Sequence, residues 1–472
     1  MKTDAESTPA ASQTSAPLGV WDAGSLIVGI VIGASLFAVP ADVFSNVPTA
    51  GTGLLLWLAG GLLSLTGALC YCELATAYPR MGGDYVYLTR AYGPGTGFVF
   101  GWMRLTVIVP ANIGAMAFVF AEHAGRLFDI SGSTALLAAG AIVVLTAVNL
   151  VGGRSGTRVQ NMLTVLKLIG LALIVMAGAW LAFGNEPPAA APTPETPRGV
   201  NYGLALVFIL YAYGGWSDAA FVAAEVRDVR RNIPRALLAG LGMITAIYLA
   251  VNLAYVAGLG LEGVRGSKTP AAELLERAGG PVGEAGIGII VMISTLAAIN
   301  GMLYSGARLT ASLGAEHRIL KLLGKWDPLR GAPVRALLAI GGLSLLLVWL
   351  CGTPGGKSVL DACVTWTGER ATNWKPGDGG FHTLVTGTAP TFWVFFCLTA
   401  AAVPLLRWRE PQVERPFRCG VAVTPLVFCA TSVYMLWSSV LYAWELALLG
   451  VVVLLAGVVA YAISVRLPRD SG

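Results

Sequence analysis

Two ionisable side chains lie inside long apolar stretches of this 472-residue chain: Lys167 in MLTVLKLIGLAL and Asp218 in LALVFILYAYGGWSDAAF. Charges are costly in such surroundings, and where they persist they mark ion or substrate paths. Asp218 follows Gly214 and Gly215, and another stretch, GSLIVGIVIGASLFAVP, centres on Gly29, Gly33, Ala34 and Ser35. Each glycine costs roughly 1 kcal/mol of helix propensity, so both stretches are prone to open. An opened helix offers loose N–H groups to an anion and loose carbonyls to a cation. Residues of this kind can hold an ion or a zwitterion. Nothing points to covalent catalysis: there is no HExxH, no paired catalytic aspartates and no metal-ligand spacing, and His123, His317 and His382 fall in separate loops. The seven cysteines make no metal spacing; Cys351 and Cys363 could pair in an oxidising compartment. No enzyme, metal or cofactor is expected.

The elements that must position these residues are membrane helices. The chain is 56% hydrophobic and 12% charged, against roughly 25% charged in a soluble domain. The charges crowd into short gaps between apolar blocks of about 20 residues, the length of a helix that spans a bilayer. Twelve blocks are expected: 23–42, 54–77, 96–120, 134–151, 160–183, 203–224, 236–258, 286–306, 334–351, 384–406, 421–440 and 445–465. A transmembrane barrel would show alternating segments about half as long. With the N-terminus in the cytoplasm, 21 Lys and Arg outside the blocks face inward and 8 outward. The positive-inside rule then puts both termini in the cytoplasm, for a plasma or inner membrane protein. The net charge of +5 reflects this topology and does not point to nucleic acid.

One transmembrane domain is expected over 20–466, preceded by a disordered cytoplasmic tail at 1–19 that lacks the core of a cleaved signal peptide. Three outward connections are long. Residues 184–202 hold a Pro/Ala-rich extended stretch, 259–285 a short surface helix, and 352–383 a Gly-rich insertion with Trp366 and Trp374. That insertion would lie on the membrane or cap the outward side. The inward segment 308–335 is basic and amphipathic and is expected as a helix on the inner leaflet.

The Gly-interrupted spans are the first and the sixth. They open two successive five-span sets, repeat one at 20–183 and repeat two at 203–406, with extra helices at 421–465. An odd number of spans per set inverts the second set relative to the first. Matching interrupted spans in inverted halves point to a transporter site near mid-membrane. The bland alternative is that the glycines serve close helix packing alone, as Gly29 and Gly33 in small-xxx-small spacing can.

GIVIGASLFAVP, CELATAYPRMGGDYVYLTRAYG, LYAYGGWSDAAFVAAEVRDVRRNIPRA and STLAAINGMLYSGAR resemble the amino acid–polyamine–organocation (APC) superfamily, and within it most nearly the L-type amino-acid transporter family. The resemblance runs over about 20–345 and 384–420. It implies a LeuT-like five-plus-five inverted repeat with two further helices, a secondary active transporter of amino acids working by alternating access. It also assigns a site. The N–H groups of Gly33, Ala34 and Ser35 would meet the substrate carboxylate, although the family usually has a third glycine where this chain has Ser35. The carbonyls of Ile30, Val31, Tyr211 and Ala212 would receive the ammonium. Tyr211 stands at the family's aromatic gate, Tyr213 and Trp216 in the same motif would line or support the pocket, and Asn112 would face it.

Gly214 replaces the acid found in relatives that carry cationic amino acids, so the resemblance favours neutral substrates. Lys167 matches a family lysine that fills the sodium site of sodium-coupled relatives. It would bridge spans 1, 5 and 8 near Ser294 and Thr295, giving sodium-independent exchange or proton coupling; the alternative is a lysine snorkelling to the inner interface. Asp218, where the family usually has a larger uncharged residue, would pair with a base, see cytoplasmic water or touch a cationic substrate, in that order. Arg104 and Asn300 are expected as structural hydrogen-bonders, and Glu73, Arg80, Asp84, Glu225 and Arg235 as an inner ion-pair network. The expected partners are an amino-acid substrate and the bilayer. Some family members carry a disulfide-linked heavy chain through a cysteine between spans 3 and 4, and 121–133 has none, so no such heavy chain is expected. Rival functions are a non-transporting amino-acid sensor on the same fold, a cationic amino-acid or polyamine carrier, and an intramembrane enzyme.

Overall fold

The computed structural model describes residues 18–130, 134–184, 199–267, 269–366, 380–420, 423–442 and 444–466. Most of the expected tail, the Pro/Ala-rich stretch at 185–198 and the part of the insertion that holds Trp374 lie outside the described residues. The chain is all-α. Its helices are α1 (Val20–Val31), α2 (Ser35–Ser45), α3 (Ala50–Ala77), α4 (Asp84–Tyr92), α5 (Pro94–Met103), α6 (Val109–Leu127), α7 (Thr134–Val151), α8 (Gly153–Phe183) and α9 (Tyr202–Ala212). They continue as α10 (Val229–Gly266), α11 (Pro270–Glu316), α12 (Val334–Gly352), α13 (Pro354–Trp366), α14 (Gly380–Arg409), α15 (Val423–Tyr442) and α16 (Trp444–Arg466).

Ten of the twelve expected spans are continuous helices long and apolar enough to cross a bilayer. The other two are the interrupted ones. Span 1 is split into α1 and α2, and span 6 into α9 and a 3₁₀ stretch at Trp216–Glu225. Span 3 is α5 and α6 joined by one π turn at Arg104–Ile108. Pro110 has no N–H to give the preceding turn, and the helix widens there.

Leu18 and Tyr461, near the two ends of the described residues, lie at one face of the bundle. There the Leu18 N–H donates to the Glu225 carbonyl at 2.8 Å, and the Arg227 N–H returns to the Leu18 carbonyl at 2.9 Å. Tyr461 near the other end packs on His317 with ring centroids 6.1 Å apart. We call this the terminal face. At the opposite face the Asn201 N–H donates to the Asn46 carbonyl at 2.9 Å, joining the far ends of spans 1 and 6.

Two connections differ from expectation or refine it. The 259–285 segment does contain a surface helix: it is the start of α11, which bends at Gly280 before entering the membrane span. The 308–335 segment is not one amphipathic surface helix. Span 8 runs on to Glu316, and a short 3₁₀ turn at Arg318–Leu320 follows. Arg308, a basic residue that looks like a span boundary, is buried in an ion pair with Glu225 instead. Cys351 is buried and Cys363 exposed, and both are free thiols.

Candidate functional site

The helix of span 1 stops at Val31 and resumes at Ser35. In between, the Gly33 N–H turns back to the Val31 carbonyl at 2.8 Å, so it is spent within the chain instead of aiming at an anion. Ala34 and Ser35 open α2, whose first turn has no side-chain cap. That start is therefore an anion-attracting end.

Lys167 holds this break. It is fully buried on α8, and its Nζ donates to the Gly29 carbonyl at 2.8 Å and to the Ile32 carbonyl. One contact falls on each side of the end of α1. The ammonium thus ends on buried backbone carbonyls and does not snorkel. A Cβ on Gly29 would lie 1.9 Å from Gln160 Nε2 and 3.1 Å from Thr164 Oγ1, so a side chain there would displace the Gln160 amide. The expected bridge to span 8 is not made. Thr295 Oγ1 donates to the Val291 carbonyl of its own helix at 3.0 Å, and Ser294 Oγ has no partner among the described residues.

Span 6 breaks at Tyr213–Gly215, with Gly215 at φ +101°. A side chain would be strained in that conformation, and a Cβ would also lie 2.8 Å from Ile30 Cγ2. The two breaks thus rest against each other. Tyr248 on α10 joins them, its hydroxyl within 2.8 Å of the Ala212 carbonyl and 3.2 Å of the Val31 carbonyl. Sequence reasoning missed Tyr248; the available signal was a phenol in an apolar span, which needs a buried partner.

These bonds revise the ammonium end. Of the four carbonyls expected there, those of Val31 and Ala212 are engaged by Tyr248 and that of Tyr211 by the Gly214 N–H at 3.0 Å. Each keeps one lone pair, and Ile30 is left as the least committed. Trp216 points away from the site: it is buried against Tyr71 and Phe396, with centroids 5.0 and 5.5 Å away. Tyr213 is also structural, donating to the Trp57 carbonyl at 3.1 Å.

Two hollows meet at the breaks. The outer one, about 1240 Å³, opens at the face opposite the terminal face and is bordered by Asp42, Glu122, Arg126, Asn201 and Thr269. The inner one, about 110 Å³, is lined by Ile30, Val31, Gly33, Ser35, Asn112, Gly214 and Asp218 among others. Ser35, Tyr211 and Trp393 line both, so Tyr211 stands at the neck between them. Ala34 borders only the outer hollow. Asn112 faces the inner one while its Nδ2 donates to the Ile108 carbonyl at 2.7 Å.

Asp218 has found a base. Arg104 Nη2 donates to its Oδ1 at 3.0 Å and Ser305 Oγ to its Oδ2 at 2.9 Å, and both charged side chains are 5% exposed. Arg104 is thereby moved from the structural hydrogen-bonders to the wall of the inner hollow. Asn300 stays structural, donating to Gln160 Oε1 at 2.9 Å and to the Gly156 carbonyl at 3.0 Å.

The terminal face is shut. Glu225 binds Arg308 through both carboxylate oxygens at 2.5 and 3.1 Å. Glu73 binds Arg407 at 2.5 and 2.7 Å and accepts the Cys419 N–H at 2.8 Å. Thr399 Oγ1 donates to Asp84 at 2.6 Å, and Tyr71 also bonds to that carboxylate. Arg80 and Arg235, expected in this network, form no ion pair among the described residues. At the same face His317 Nε2 lies 3.1 Å from Tyr85 Oη, which donates to Glu316 at 2.6 Å, and burial pushes the His317 pKa down, favouring the neutral ring near pH 7.

The family model described as amino acid permease matches residues 18–465. The mouse (Mus musculus) b(0,+)-type amino acid transporter 1 is 29% identical over 447 residues, covering 92% of this chain and 85% of the relative. The large neutral amino acids transporter small subunit 2 of mouse is 28% identical over 462 residues, covering 95% and 81%, and the human (Homo sapiens) form is 29% identical over 465 residues, covering 95% and 80%. One expectation is corrected here. The missing cysteine at 121–133 suggested no heavy-chain partner, whereas one of these relatives is by name a small subunit, so the expectation does not follow from the loop alone.

Proposed function

The chain belongs to the amino acid permease family and is a multi-pass membrane protein that transports amino acids, and within that role we propose that it carries neutral amino acids without sodium, by alternating access. The observation that carries this reading is Lys167, whose ammonium already occupies the span between the Gly29 and Ile32 carbonyls. A resident cation leaves no need for a dissolved one. The substrate carboxylate would lie at the start of α2 and the ammonium near Ile30, with Tyr211 closing over it from the neck. The two five-span repeats, 20–183 and 203–406, would rock about the paired breaks. The terminal face is cytoplasmic in this reading, as the basic residues require, and the membrane is a plasma or inner membrane.

The test is uptake of radiolabelled leucine, alanine, arginine and glutamate into proteoliposomes, with and without internal amino acid, a pH gradient and sodium. Neutral uptake that persists when choline replaces sodium is expected. Collapse in choline would refute the lysine's role, and transport only with internal substrate would identify exchange.

Gly214 sharpens the expectation of neutral cargo. Its Cβ position meets only the Tyr211 carbonyl, at 3.1 Å, and it lines the inner hollow. Because Arg104 is already paired with Asp218, an acid at 214 would leave a carboxylate free for a cationic side chain. Gly214→Asp is therefore expected to raise arginine uptake relative to alanine by roughly tenfold. An unchanged ratio in a folded variant would remove Gly214 as a specificity position.

A further inference from the structure

The inner hollow ends on a feature that the amino and carboxylate groups of a substrate do not use. Arg104 and Asp218 both line it, 3.0 Å apart and nearly buried. Arg104 lies about two turns nearer the terminal face than Asn112 on the same span, and Ser305 beside the pair lies on the terminal-face half of α11. The α2 start, where the carboxylate would sit, borders the same hollow through Gly33 and Ser35. The walls between are largely apolar: Ile108, Val109, Met116, Met302 and Phe392.

We propose that the Arg104–Asp218 pair is the floor of the side-chain subsite, and that it selects neutral amino acids whose side chains end in an amide or a hydroxyl over aliphatic ones of the same shape. The inference rests on the assignment of the inner hollow as the amino-acid site. The pair has no net charge, so a cationic side chain drawn to Asp218 meets Arg104, and an anionic one drawn to Arg104 meets Asp218. What the pair offers is hydrogen-bonding capacity. The Arg104 guanidinium spends one N–H, on Nη2, in its bond to Asp218, and the Asp218 carboxylate accepts one bond on each oxygen, leaving further donors and lone pairs unused. An amide or hydroxyl brings both a donor and an acceptor. An aliphatic end would cover these groups and leave them dry and unpaired, and that penalty is what lets a polar site reject an isostere.

The deciding experiment uses isosteric pairs. Uptake of labelled alanine by the full chain in proteoliposomes is competed with asparagine against leucine and threonine against valine, with arginine and glutamate added to the panel. Asparagine and threonine are expected to inhibit at concentrations roughly tenfold lower than their aliphatic partners, and arginine and glutamate only weakly. A second measurement, the ligand-induced rise in Tm of the purified protein, reports binding alone and should rank the four in the same order. In the double variant Arg104→Met with Asp218→Leu, which removes both charges together, the preference should vanish or reverse. Equal inhibition by leucine and asparagine in the wild type overturns the proposal, as does a double variant that keeps the asparagine preference. If that variant does not fold, the wild-type series decides alone. A wild-type protein that shows no uptake and no Tm shift with any amino acid would instead overturn the site assignment, and the inference with it.

Discussion

Replacing Lys167 with methionine is expected to lower amino-acid uptake by roughly a hundredfold or more, while the protein still folds and inserts. The side chain makes two charge-assisted hydrogen bonds, to the Gly29 and Ile32 carbonyls, and bonds to charged groups are worth about 1.5–3 kcal/mol each. Losing both would suggest a large loss of stability, but the same substitution removes a fully buried ammonium and with it the cost of keeping that charge out of water. The two effects oppose each other in folding. They do not oppose each other in transport. The carbonyls that Lys167 gathers belong to the break that would receive the substrate, and without the ammonium they repel one another and the segment loses its fixed shape. Methionine is close to lysine in length, so packing against Gly29 is kept. The measurement is uptake at matched protein density beside thermal unfolding. Wild-type uptake by the variant would show that the ammonium is only a packing element, and equal collapse of uptake and folding would show that it is only structural.

The spans were legible because bilayer thickness sets a length and backbone satisfaction demands a helix. The two breaks were legible because glycine is costly in a helix, and two costly segments at matching places call for a common cause. Lys167 was legible as a buried charge, and its partners in span 1 followed from the resemblance. Beyond this, sequence falls short wherever the answer depends on what lies across a gap. Arg308 looked like the solvated end of span 8, since nothing local separates a free arginine from one neutralised by a glutamate 83 positions away. Arg104 and Asp218 are 114 positions apart, and each alone has several explanations. Trp216 was assigned to the lining or the support of the pocket because it belongs to the motif, and it does not line it: it stands just past a turn with Gly215 at φ +101°. Helical periodicity does not carry through such a turn, so the facing of the next side chain is undetermined by spacing. The carbonyls of Val31 and Ala212 were assigned to the ammonium without knowing that Tyr248 reaches both.

The other large effect is expected at the closed terminal face, with Arg308→Met. Arg308 is 2% exposed, its guanidinium lies 3.4 Å from the Tyr304 ring centroid, and it meets both oxygens of Glu225. Glu225 in turn accepts the Tyr304 hydroxyl at 3.2 Å, and its backbone carbonyl holds Leu18 at 2.8 Å. One residue therefore ties span 8, through its carboxylate, to the end of span 6 and, through its backbone carbonyl, to the start of span 1. Removing one partner of a buried pair typically costs about 3–5 kcal/mol because it strands the other charge. Glu225 is 12% exposed, so it can recover part of that cost by moving toward water, and the lower end, about 3 kcal/mol, is expected. That recovery is what matters for function. A stranded Glu225 is best solvated when the terminal face opens, so the substitution favours the conformation open on that side, and about 3 kcal/mol corresponds to more than a hundredfold change in the ratio of the two. Hydrogen exchange should speed up at 18–22 and 225–231, and the large hollow on the opposite side should lose population. Glu225→Met alone should act less strongly, since Arg308 keeps the Tyr304 ring and carbonyl, and the double variant should recover stability relative to Arg308→Met because no charge is left unpaired. If the double variant were instead as unstable as the sum of the singles, the pair would contribute through packing alone, and the terminal face would have to be held shut by the Glu73–Arg407 pair.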